Sequence, residues 1–365
     1  MIRRVLGTLA LVLGSLLVAL VVFEVGYRLA HVHVGTVQIN RATVRKIANP
    51  RLRFELRPGG VAKSEVEYRI NADGRRGPEV TVEKPEGVRR VAVLGDSITF
   101  GYWVAEEDAF PRQLEAMLNE VRGEGPRVEV LNFGVPGYNL DQEIETLRSK
   151  ALAFAPDVVV VAFCLNDLEG IFSYELGLVQ DRATRRRTLF GRLREGLLSR
   201  SIFFAWLEYR LAEADARRRF AQARNPFSGP LYEQTVREQK EVFLGKFRVL
   251  QAILASHGID GLVAVFPTFT GNWERYPHRG LHRVVMEAAA ESGLMTLDLL
   301  DCYSGYFFRD VRVDVIHPNP MGHRVAAHAI RDVLCENEVL CPGAVAEEGT
   351  CRDYREDDFP AVQGY

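Results

Sequence analysis

From residue 91 to about 334 the apolar positions of the chain follow two rhythms in turn. Apolar runs of the kind expected of strands covered on both faces occur at 91–94, 127–131, 157–163, 261–266 and 294–299. Between them, apolar residues recur at spacings of three and four, which predicts helices. These cover 109–121 (through Phe110, Leu114, Met117, Leu118 and Val121), 141–154, 241–256, 281–292 and 320–334. Five strands alternating with helices imply an α/β fold, a doubly wound parallel sheet. In such a sheet the carboxyl ends of the strands share one rim, and ligands bind there.

Outside that stretch the pattern changes. Residues 5–23 carry no charge, and Thr8 and Ser15 are their only polar side chains besides glycine. At helical rise they span roughly 28 Å, near the thickness of a bilayer's hydrocarbon core. No small-x-small cleavage site precedes Glu24, so the reading is an uncleaved transmembrane helix rather than a signal peptide. With Arg3 and Arg4 on the cytoplasmic side, the rest is placed on the periplasmic or extracellular side. Residues 31–89 form a polar collar in which the alternating run 66–70 and the turn Asn71-Ala72-Asp73-Gly74 predict a small β-hairpin. The expected divisions are a 1–30 anchor, a 31–89 collar, a 90–335 main domain and a 336–365 tail. An arginine-rich insertion at 168–240 includes an amphipathic stretch, 189–211, read as a surface helix packed on the sheet, with a lid over the substrate pocket or a contact with lipid headgroups as the alternatives. Residues 343–365 are acidic and polar, and no function is assigned to them.

Composition narrows the function. The chain has 365 residues, 47% of them hydrophobic, enough for one full core with an appendage. Its 46 basic and 48 acidic side chains nearly cancel, which argues against a nucleic-acid partner. Five cysteines in an exported chain allow two disulfides and one thiol. Cys164, in the third strand, is expected to be buried, and a Cys335–Cys341 bridge is preferred.

The chemistry gathers at strand ends. Gly95-Asp96-Ser97 ends the first strand, Asn132 to Tyr138 forms a glycine-rich turn after the second, and Leu165-Asn166-Asp167 follows the third. A serine at that position, at the head of a helix, can attack a carbonyl while its own N–H holds the resulting oxyanion. Beyond the fifth strand, Asn319 is a plausible N-cap with Pro320 at the first helical position, so His317 stands just ahead of a helix. Asp314, three residues earlier, can fix its tautomer and support its charged form. His323 and His328 fall on partly different faces of that helix, so no metal site is expected with His317.

Over residues 90–334 the chain resembles the SGNH, or GDSL, hydrolase superfamily, whose four motifs occur here in order. The resemblance implies a flavodoxin-like sheet of five parallel strands and a cofactor-free hydrolysis of carboxylic esters, acyl or acetyl. It implies Ser97 as nucleophile, His317 as general base and Asp314 as orienting acid, with an oxyanion hole of Ser97 N–H, Gly137 N–H and the Asn166 amide. The chain departs from the family at Cys164, where a glycine is usual. The collar resembles that of membrane-anchored bacterial members, whose hairpin reads Asn-x-x-Gly-aromatic-Arg-Gly, but Arg75 stands in the aromatic's place. Two other activities fit such a pocket: O-acyl transfer to a cell-envelope polysaccharide, and non-catalytic glycan binding. The expected partners are an ester or acylated-glycan substrate and a lipid bilayer, contacted through residues 5–23.

Overall fold

The structure is a computed structural model. It describes residues 42–63, 65–123, 125–165, 230–269, 273–337 and 339–340, plus scattered positions among the first 25, with side chains of 230–238 excepted. The chain divides into two compact units, and the elements below belong to the one made of Ile39–Glu169 and Pro226–Tyr365. Among the described residues no helix is long and apolar enough to cross a membrane. Most of 5–23, the 189–211 stretch, Asn166, Asp167 and the 343–365 tail lie outside the described residues.

The collar holds two antiparallel pairs, β1 (Val44–Lys46) with β2 (Phe54–Leu56) and β3 (Val61–Lys63) with β4 (Glu67–Arg69). The expected hairpin is therefore built differently. The alternating run pairs with β3 upstream, and the 71–74 turn closes only a single bridge, Ile70 to Arg76. The reason lies after the turn, where Arg75 and Arg76 are both buried, which breaks the in-out alternation a strand requires.

The main sheet follows. Its strands are β5 (Val88–Gly95), β6 (Arg127–Gly134), β7 (Val158–Cys164), β8 (Asp260–Phe266) and β9 (Met295–Asp298). They lie in the order β6-β5-β7-β8-β9, every pair parallel. Connections leave β5 and β6 in opposite directions along the sheet, and the crevice at such a switch point is where open α/β sheets bind ligands. Two strands exceed their expected ends. Asn132, Phe133 and Gly134 belong to β6 rather than to the turn after it, because they continue in register with Val93, Leu94 and Gly95. Cys164 pairs with Phe266 and is buried, so the side chain standing where the family has glycine keeps the strand in register.

The helices are α1 (Ser97–Phe100), α2 (Phe110–Val121), α3 (Leu140–Ser149), α4 (Pro230–His257), α5 (Arg279–Glu291), α6 (Leu299–Tyr303), α7 (Phe308–Val311) and α8 (Pro320–Glu336). Helix α4 begins at 230, well before the expected 241, because its first residues are mostly good helix formers without an apolar stripe to betray them. The expected 141–154 helix is α3 followed by a separate 3₁₀ turn, Ala151–Phe154. Pro156 disfavours helical geometry at Ala155, which adopts φ 48° instead. On one face α2 and α8 pack together over Val91, Val93, Val158, Val160 and Ala162. On the other, Phe163 meets Phe243 and Phe247 of α4, which packs against α5. At the foot of the sheet Arg90, fully buried, pairs with Glu129 at 3.0 Å and donates to the carbonyls of Thr81, Val82 and Phe154. Cys302 and Cys335 each take part in a disulfide, Cys341 of the expected Cys335–Cys341 bridge lies outside the described residues, and Cys164 is a buried thiol.

Candidate active site

Strand β5 delivers Ser97 directly into α1. Asp96 is the N-cap of this single turn, its side chain accepting from Ile98 N–H at 2.8 Å. The approach at Gly95 is too close for any side chain: a Cβ there would stand 2.1 Å from Thr99 Oγ1. Asn132 is a brace at this turn, since its amide donates to Thr99 O at 2.7 Å and its carbonyl accepts from Gly134 N–H at 2.9 Å. Gly137 lies in the loop after β6 at φ 81°, and its N–H meets no acceptor among the described residues.

From the far end of the chain comes the 312–318 loop, closed by the bridge between Arg312 and Pro318. Inside it, Asp314 Oδ1 accepts from Ile316 N–H and His317 N–H, both at 2.8 Å, which leaves Oδ2 to accept from His317 Nδ1 at 2.8 Å. With Nδ1 protonated, Nε2 is the acceptor, and it lies 3.0 Å from Ser97 Oγ. Burial works to raise the Asp314 carboxyl, but the hydrogen bonds and charge of His317 outweigh it and hold the group below its ordinary value. Asn319 caps α8 by accepting from Gly322 N–H, fixing the loop's exit. The Tyr102 ring packs against the imidazole at 5.7 Å. The structure thus brings Ser97, His317 and Asp314 into one hydrogen-bonded row, places Gly137 in the loop following β6, and describes the third strand only as far as Leu165.

Residues 93–325 match the model of the GDSL-like lipase/acylhydrolase family. The chain belongs to that family. This GDSL-like protein is accordingly an enzyme that hydrolyses ester bonds. Solved structures similar to it include an α/β hydrolase from the metagenome of Lake Arreo, Spain, at 15% identity and TM-score 0.44, covering 70% of this chain and 97% of the other. A catalytic mutant of an acetylxylan esterase from Geobacillus stearothermophilus matches at 14% identity and TM-score 0.41, covering 67% and 94%. A two-domain esterase active on acetylated mannans matches at 15% identity and TM-score 0.41, covering 76% and 54%. No curated protein matches the sequence.

Three buried polar groups of this GDSL-like protein are given no role by the sequence alone. Arg76 lies behind α1 with its guanidinium against the Tyr68 and Phe100 rings. His282, on α5, bridges Asp298 at 2.7 Å and the Tyr276 hydroxyl at 3.2 Å. Glu143 lies fully buried on α3 with no hydrogen-bond partner for its carboxyl among the described residues. Periodicity marks two of these positions. Glu143 stands three residues after Leu140 and four before Leu147, on an apolar helical face, and His282 stands between Leu281 and Val285. His323, which the sequence reading weighed for metal, is buried, accepts from Phe110 N–H at 3.3 Å and stacks on the Phe110 ring. Burial first, then the charges of Arg76 and His317, push its pKa down to about 3.

Proposed function

We propose that this enzyme cleaves carboxylic esters, acyl or acetyl, by a two-step acyl transfer through Ser97, His317 and Asp314. His317 Nε2 takes the hydroxyl proton as Ser97 Oγ bonds to the ester carbonyl carbon. The tetrahedral intermediate collapses, the alcohol leaves with the proton from His317, and the acyl group stays on Ser97. A water then loses its proton to His317 and attacks the acyl-enzyme, releasing the acid and restoring the serine. Asp314 stays ionised and supports the imidazolium. The Ser97 N–H, the Gly137 N–H and the Asn166 amide hold the oxyanion, and losing one such donor costs roughly 100- to 1000-fold in rate. The observation that carries this reading is the unbroken row from Asp314 Oδ2 through His317 to Ser97 Oγ, at 2.8 and 3.0 Å.

The same proposal places the enzyme on a membrane through a transmembrane helix at 5–23, with the hydrolase domain on the periplasmic or extracellular side. The uncharged run supports it, as do the disulfide-bonded Cys302 and Cys335, since disulfides persist in oxidising compartments. The test is labelling of the full chain with a fluorophosphonate and mapping of the modified residue, beside hydrolysis of p-nitrophenyl acetate with no glycan acceptor present. Label on Ser97, and loss of both label and turnover in Ser97→Ala, are expected. Label elsewhere, or turnover surviving in Ser97→Ala, would refute the assignment.

A further inference from the structure

Helix α1 is a single turn, so its later carbonyls must find partners outside an ordinary helical ladder. Ser97 O accepts from Gly101 and Tyr102 N–H, and Ile98 O also accepts from Gly101 N–H. Thr99 O takes the Asn132 amide. Phe100 O takes Arg76 Nη1 at 2.9 Å, and the same guanidinium continues along the chain, reaching Gly101 O at 2.5 Å and, through Nη2, Val104 O at 2.8 Å. The segment it grips is bent: Gly101 has φ 81° and Trp103 φ 70°, a costly conformation for a tryptophan. A second collar residue holds that bend, since Tyr68 Oη accepts from Trp103 N–H at 2.9 Å. Tyr102, inside the bend, packs on the His317 ring. One buried arginine, 1% exposed, therefore fixes both the end of the turn that begins with Ser97 and the loop carrying the aromatic wall of His317.

Resting on the assignment of Ser97 as nucleophile, we propose that Arg76 is a positioning residue for the reaction, so that the collar is part of the catalytic unit and not merely a connector. A planar fork is needed because three carbonyls on a tight bend are reached from two nitrogens; an ammonium carries its donors on one atom and cannot span them. The neighbouring Arg75 supplies the control. It is equally buried, pairs with Asp73 at 3.0 Å and stacks on Phe133 and Phe154, and among the described residues it makes no hydrogen bond to α1 or the bend.

The experiment compares Arg76→Met, Arg76→Lys and Arg75→Met in the full chain, reading fluorophosphonate labelling rate, kcat and KM at a temperature where circular dichroism shows each folded. Misplacement of a reacting group by about 1 Å costs on the order of 100-fold. Arg76→Met and Arg76→Lys should therefore lose about 10- to 100-fold in kcat and labelling rate with KM within about threefold. Arg75→Met should melt earlier while keeping kcat within about threefold. Where Arg76→Met does not fold, Arg76→Ala supplemented with guanidinium or ethylguanidinium replaces it, and recovery of labelling with added guanidinium is expected. Equal kcat losses in Arg75→Met and Arg76→Met, an unchanged kcat in folded Arg76→Met, or no recovery with guanidinium would overturn the proposal. A wild-type chain that takes no label at Ser97 overturns the nucleophile assignment and this inference together.

Discussion

Two imidazoles in this molecule have the same neighbours in kind, a carboxylate on Nδ1 and a hydroxyl on Nε2. His317 stands between Asp314 and Ser97, at 2.8 and 3.0 Å. His282 stands between Asp298 and Tyr276, at 2.7 and 3.2 Å. In both, the aspartate also anchors backbone: Asp314 accepts from two N–H groups of its own loop, and Asp298 caps α6 through Leu300 N–H. What differs is the hydroxyl and its access. Ser97 is half-buried at the rim, with a glycine-rich loop beside it. Tyr276 is buried, already accepts from Thr268 N–H at 2.9 Å, and burial pushes its phenol well above the ordinary value. Its oxygen is tied up and its proton is held, so the Asp298–His282–Tyr276 row is a strut. It secures Thr268, next to Phe269, whose N–H donates to Val315 O at 2.8 Å and so braces the loop of Asp314 and His317. An aspartate–histidine pair is thus no evidence of catalysis by itself; what separates the two rows is a hydroxyl within reach of solvent that donates to the imidazole.

The largest effect that tests this contrast is a crossed pair of substitutions. His317→Gln and Asp314→Asn should each lower kcat by roughly 1000- to 10,000-fold, with the melting temperature close to wild type. His282→Gln and Asp298→Asn should do the reverse. Each should lose about 2 kcal/mol of stability in urea unfolding and keep kcat per folded molecule within about threefold. A catalytic collapse on mutating His282, with stability intact, would break the comparison.

Acid should sharpen it next. Burial holds His278 and His323 neutral, each pushed down to about 3 from the ordinary 6.5. Between those values the unfolded chain binds protons that the folded chain refuses. Stability is therefore complete above about pH 6.5 and is lost as pH falls toward 3, by up to about 1.4 kcal/mol per unit for each histidine. Asp314 acts at the lower edge of that range, since its depressed value keeps its contribution until pH drops below the ordinary carboxylate value. Unfolding midpoints measured from pH 7 to 4 should show the slope, and His323→Gln should reduce it.

The smallest effect concerns Glu143, a carboxyl with no imidazole to pair with. Burial, then the charge of Asp96, push its pKa well up, against the weaker pull of Lys246. Its folded value exceeds the unfolded one, so stability is greatest in acid and declines as pH rises through the folded value. Glu143→Gln should gain about 1 kcal/mol at pH 8 and nothing at pH 4. An equal gain at both would show that packing, not ionisation, sets its effect.

Much of this was legible before any coordinates. The five strands announced themselves as apolar runs, because a strand covered on both faces has no polar side to show. The Asp314–His317 spacing and the Asn319-Pro320 helix start concern neighbours within a few residues, where chain geometry leaves little choice. The register of β6 past Leu131 was misjudged because asparagine and glycine read as turn residues, while their partners in β5 hold them in the sheet. Arg75 stands out as a departure from the hairpin pattern, and Arg76 matches that pattern's arginine, but its role is not legible, since nothing local shows which carbonyls a buried guanidinium will reach.

The sequence by itself determined the alternation of strands and helices, the glycine and N-cap positions around Ser97 and His317, and the order of the motifs. Each of these is a short-range matter of sterics, capping and periodicity. Only the tertiary structure decided that Ser97 and His317, 220 residues apart, share a hydrogen bond, that Arg76 reaches carbonyls 24 to 28 residues away, and that His282 faces an inert phenol. Partners of that kind are set by which surfaces bury one another, and a buried donor takes whichever acceptor the packing leaves beside it.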